Sequence, residues 1–120
     1  MGFIEKFTEN LERFEWDRYK HYLHRDLYNE LIRIVSDIET SEPVGEFIFG
    51  KMRVSAGKAI EVYSQLESGH LQSVCEKFNK IGYPIRNKQT YLRAMLYNEF
   101  FEYEATITNE VNVNEGLTDV

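Results

Sequence analysis

A chain of 120 residues is long enough for one domain to bury a core without disulfides or metals, and an apolar fraction of 42% with 14% aromatics excludes a disordered polymer. The lone Cys75 excludes an intrachain disulfide and a cysteine-built zinc site, which favours a reducing compartment. The net charge of -6 belongs to one end: residues 1–98 hold 14 acids and 14 bases, and every acid from Glu99 to Asp119 follows the last base, Arg93.

The opening Met1 to Lys6 has neither the apolar core of a leader nor a myristoylation pattern. No run reaches the roughly 18 apolar residues of a membrane span, so a cytoplasmic location without membrane attachment is expected. Phe3, Ile4, Phe7, Leu11 and Phe14 recur at three and four, predicting an amphipathic helix over about 3–13. Asp17 is a candidate N-cap for a longer helix whose apolar period runs from Tyr19 through Leu27 and Leu31 to Ile38. A break near His24 to Asp26 is the alternative, with Asp26 as a second cap. Pro43 disfavours helical geometry at Glu42, so Glu39 to Gly45 reads as a loop.

Phe47 to Val54 reads as a β-hairpin, because Gly50-Lys51 is a Gly-X pair suited to a type II′ turn. Ser55 caps a helix to about Leu66, Ser68 or Gly69 opens the next, and Asn87 caps a last one that buries Tyr91, Leu92, Met95, Leu96 and Phe100. The expected fold is mainly α: a compact bundle of about five helices with a small hairpin near 47–54. Residues 1–104 form the single domain in this reading, and 105–120 an acidic, flexible tail. The alternation of Ile107, Val111 and Val113 leaves open a strand donated to a partner.

Catalytic machinery is not expected. His21 and His24 stand at i, i+3 with Asp17 one turn earlier, a spacing that can converge on a metal, but Tyr22 and Leu23 already define the apolar side and leave the histidines on the surface. Glu67 to His70 gives one half of a di-iron motif that needs two copies. Cys75 falls beside Val74 and Phe78 as a core thiol. With no phosphate loop or nucleophile elbow, the reading is no enzyme, no metal and no cofactor.

The charged constellation is different. Lys77, Lys80, Arg86, Lys88 and Arg93 place five cations in seventeen residues with no acid among them, interleaved with Tyr83, Gln89 and Tyr91. At a loop and helix N-terminus such a segment suits phosphates or an acidic partner; an ordinary solvated surface is the alternative. Tyr97 and Asn98 read equally as partner contacts or as a closed helix end.

The segment Ile85-Arg86-Asn87-Lys88-Gln89-Thr90-Tyr91-Leu92-Arg93-Ala94-Met95-Leu96-Tyr97-Asn98 resembles the C-terminal accessory domain of replication initiator A proteins of plasmids and integrative elements in Gram-positive bacteria. The resemblance extends upstream through Leu66 to Val74, Asp26 to Leu31 and Trp16-Asp17, covering about Phe14 to Asn98. Glu99 to Glu104 depart from the short Ala/Pro-containing ending usual there, and the chain is too short to include the winged-helix domain of a full initiator. The resemblance implies a helical, DnaD-like platform of a mobile element, contacting a host replication protein of primase or helicase-loading type, with DNA contact left open. The residues assigned to partner or nucleic-acid binding are Lys77, Lys80, Arg86, Lys88, Arg93, Tyr97 and Asn98. The alternative is a small nucleic-acid-binding regulatory protein using residues 77–93.

Overall fold

The computed structural model describes residues 2–118, with side chains described for 2–103. Its elements in chain order are α1 (Phe3–Arg13), α2 (Trp16–Tyr19), α3 (Arg25–Glu39), β1 (Glu46–Phe49), β2 (Met52–Ser55), α4 (Ala56–Tyr63), α5 (Ser68–Asn79) and α6 (Lys88–Thr118). The protein is mainly helical, as expected, with an antiparallel hairpin inserted before α4.

Helix α3 is the centre of the core. Tyr28, Leu31, Ile32, Ile34, Val35 and Ile38 are all buried, a stripe too wide for one neighbour, and α1, α4, α5 and α6 pack around it. Phe14, in the turn after α1, and Val62, Tyr63, Leu71, Val74, Leu92 and Leu96 on the other helices add to the interior. Cys75 is fully buried there, and burial pushes its thiol up to about 12.

The long helix expected from Asp17 is broken. It stops at Tyr19 and resumes at Arg25, and the rings of Tyr19 and Tyr28 stack at 4.2 Å. In an unbroken helix these two residues would stand about 13 Å apart along the axis, so the stack requires the turn between them. Tyr22 meets both rings edge-on, at 5.7 and 6.5 Å. Neither predicted acidic cap serves: Asp17 lies in the first turn of α2 behind Glu15, and Asp26 in the first turn of α3 behind His24. Glu15 sits in left-handed geometry at φ 56, alone among described non-glycine residues.

The hairpin turns as the sequence predicts. Gly50 takes φ +66 while Lys51 keeps negative φ, the pattern of a type II′ turn, and Phe49 pairs with Met52 across it. The hairpin is held to the bundle by Phe49, whose ring stacks on Tyr97 at 5.1 Å and on Tyr63 at 6.1 Å. Ser55 caps α4 by accepting the Lys58 N–H at 3.2 Å, and Asn87 caps α6 through the Thr90 N–H at 3.1 Å. Helix α4 ends at Tyr63 rather than Leu66, because Arg13 takes over its last turn, donating from Nη2 to the Tyr63 and Leu66 carbonyls at 2.8 Å each. The same guanidinium bonds Glu39 at 2.9 Å, tying α1 to α3 and α4.

Helix α6 runs on to Thr118, beyond the end expected near Tyr103; no Pro or Gly interrupts residues 99–115. The tail predicted from residue 105 therefore begins within this helical backbone. Its side chains, including Ile107, Val111 and Val113, lie outside the described residues.

Candidate partner-docking site

The five cations of the 77–93 segment do not form one free patch. Lys77 donates to Glu99 Oε2 at 2.7 Å and to Glu102 Oε2 at 3.0 Å. Burial lowers its ammonium pKa, but the two carboxylate hydrogen bonds outweigh that and leave it raised. Glu99 is only 3% exposed, so this acid from the negatively charged end is a structural partner of α5. Lys88 pairs with Glu30 at 3.0 Å, and Arg93 Nη2 with Asp37 at 2.8 Å. Both bonds tie the start of α6 to α3. Lys80, at the C-cap of α5, and Arg86, in the loop before α6, are exposed and have no acidic partner among the described residues.

The last two assigned residues separate as well. Tyr97 is buried against Phe49 and Phe101, at ring distances of 5.1 and 5.2 Å, which makes it part of the hairpin's seat. Asn98, one position on, is exposed.

Arg86 and Asn98 border a groove of about 500 Å³. Its walls come from three places: Gly50 at the hairpin tip, Tyr83 to Asn87 in the loop between α5 and α6, and Tyr91, Ala94 and Met95 on α6. A second hollow of about 320 Å³ adjoins it, lined by Phe78, Ile81 and Lys88, and the two share Tyr83 and Ile85. Tyr83 is 61% exposed, yet its hydroxyl lies 3.3 Å from that of Tyr91. That hydrogen bond raises the Tyr91 phenol above its ordinary value. Tyr91 is thus a wall of the groove rather than the core residue expected, whereas its neighbour Leu92 is fully buried.

The groove exists because residues 81–87 cross between helices without regular structure. Pro84 supplies no N–H for a helix, and the Asn87 cap fixes where α6 begins. The signal was present in the sequence as three consecutive apolar residues, Tyr83-Pro84-Ile85, in a segment too irregular to be core. The contribution of Gly50 had no such signal, since it depends on where the hairpin packs.

The histidines have local roles. His21 is exposed, the His24 ring meets Tyr22 edge-on at 5.3 Å, and His70 Nδ1 accepts the Glu67 backbone N–H at 2.9 Å at the start of α5. That bond accounts for the Glu67–His70 spacing as a helix cap. Among the described residues no three His, Cys, Asp or Glu side chains are grouped to hold a metal ion. No described helix is long and apolar enough to cross a membrane.

No family model, curated protein or solved structure matches this chain.

Proposed function

We propose that this chain is a protein-interaction module that docks a partner in the groove between the hairpin tip, the 83–87 loop and α6. One observation carries the reading: Lys77 and Arg93 pair with the chain's own carboxylates and Lys88 shares Glu30 in a half-open pair, while an apolar groove opens beside Arg86, which has no acidic partner among the described residues. A phosphate-tracking surface needs several cations free to neutralise successive phosphates. A protein-docking surface needs Tyr, Met and Arg around a hollow, and the exposed Tyr83 and Arg86 with the half-buried Met95 supply that set.

The resemblance of Ile85 to Asn98 to the accessory domain of replication initiator A proteins names the partner class we propose: a host replication protein of primase or helicase-loading type. In this role the module would serve a plasmid or other mobile element and recruit the replication machinery. Pull-down from a Gram-positive host lysate with wild-type protein and with Met95→Glu tests it. The reading expects a replication protein on the wild type and its loss on the variant; recovery unchanged by Met95→Glu, or no replication protein at all, overturns it. Steeply salt-dependent DNA binding would support the nucleic-acid alternative instead.

A further inference from the structure

Resting on the docking reading above, we propose that the groove takes an acidic segment of the partner, seating one apolar side chain on each side of Tyr83 and turning its carboxylates to Arg86 and Lys88. The two hollows, about 500 and 320 Å³, are each of a size that holds a compact apolar group. They meet at Tyr83 and Ile85, so a ligand filling both must cross a ridge. A continuous chain with two anchors does this; a single side chain or small ring does not.

The ridge is built to stay in place. The Tyr83 hydroxyl is held by Tyr91, the Tyr91 ring packs edge-on against Phe78 at 6.2 Å, and Pro84 stiffens the loop between them. A preordered aromatic lowers the entropic cost of docking.

Charge selects the sign of the segment. Each hollow carries one cation, Arg86 in the larger and Lys88 in the smaller, and neither is lined by a carboxylate. Arg86 has no acidic partner among the described residues. Lys88 is held by Glu30 in a pair whose side chains are 51% and 37% exposed, open enough for an incoming carboxylate to join or replace Glu30. A basic segment would leave both cations opposed by like charge.

Panning a phage-displayed random peptide library on the wild type, on Arg86→Glu and on Met95→Glu tests the proposal, with far-UV circular dichroism confirming that each variant is folded. Expected is enrichment of peptides carrying two apolar residues flanked by Asp or Glu, at least about tenfold weaker on Arg86→Glu. Arg86→Glu should in turn select Lys- or Arg-bearing peptides. Apolar peptides without acids, lost on Met95→Glu but indifferent to Arg86→Glu, would overturn the charge rule and leave the docking groove standing. Peptides that bind Met95→Glu as well as wild type, or no enrichment at all, would overturn both. Should a short DNA duplex bind wild type and lose binding on Arg86→Glu, the segment is nucleic acid and the proposal fails.

Discussion

Arg93 donates from Nη2 to Asp37 Oδ2 at 2.8 Å, joining two residues 56 positions apart and turning a cation of the basic segment inward to α3. With the Asp37 side chain 53% exposed, the pair is worth only about 0.5 kcal/mol. A double-mutant cycle of Asp37→Ala and Arg93→Ala, read by urea unfolding, should give a coupling of that order that shrinks with added salt. Zero coupling at low salt would mean that Arg93 is available to a partner.

Arg13 has a larger role. Its guanidinium bonds two carbonyls, Asn10 and a Glu39 side chain that is 5% exposed, so Arg13→Ala removes the side-chain donor of two helix-end carbonyls and one of the donors of a nearly buried carboxylate, which keeps Asn10 Nδ2 at 2.9 Å and Lys6 at 3.8 Å. A loss of about 2 kcal/mol is expected in urea unfolding. Arg13→Lys should recover less than half of it, since one ammonium cannot reproduce the fork that reaches both carbonyls and Glu39 together.

Glu15 occupies left-handed geometry, and its side chain there accepts an exposed hydrogen bond from Ser68 at 3.1 Å. Glu15→Gly should be neutral or raise stability by up to about 1 kcal/mol, because the relief of backbone strain offsets the lost surface contact. Glu15→Val, with a β-branched side chain at positive φ, should lower the melting temperature. Equal effects of the two substitutions would show that φ at this position does not matter.

Alkaline stability follows from the buried acids. Burial pushes the Cys75 thiol up to about 12 and raises the Tyr28 and Tyr63 phenols, whose hydroxyls donate to the Phe14 and Arg93 carbonyls. These groups keep their protons longer in the folded state than in the unfolded one. Their contribution is whole below the unfolded values, about 9 for the thiol and 10 for the phenols, and declines as pH rises past them. The urea midpoint should be flat to about pH 9 and then fall, each group adding at most about 1.4 kcal/mol per pH unit. Cys75→Ala should lower the midpoint at pH 8 through the cavity it leaves, and flatten the slope between pH 9 and 10.

What the sequence made legible was the chemistry of near neighbours. Gly50 at positive φ, Ser55 and Asn87 as caps, and the α3 stripe from Leu31 to Ile38 depend on residues within a turn or two, and each is where the pattern puts it. The break between Tyr19 and Arg25 was weighed only as an alternative, because an apolar period is continuous across it and the Tyr19–Tyr28 stack that favours breaking is tertiary. The basic segment misled for the same reason. Five cations with no local acid look free, but Glu30, Asp37, Glu99 and Glu102 reach three of them from other elements or from further along α6. The Arg86 to Asn98 face held part of the candidate site in view; Gly50, which closes it, could be placed only once Phe49 was seen seated on Tyr97.

The most direct test of protein docking against nucleic-acid binding is a ¹H–¹⁵N correlation titration of the wild-type protein, at ~50 mM salt, with an acidic two-anchor peptide and separately with a short DNA duplex. The account predicts that the peptide shifts the amides of Tyr83, Ile85, Ala94, Met95 and Asn98 and that the duplex leaves them in place. Shifts at Lys77, Lys80, Arg86 and Lys88 with the duplex, and none with the peptide, would contradict it.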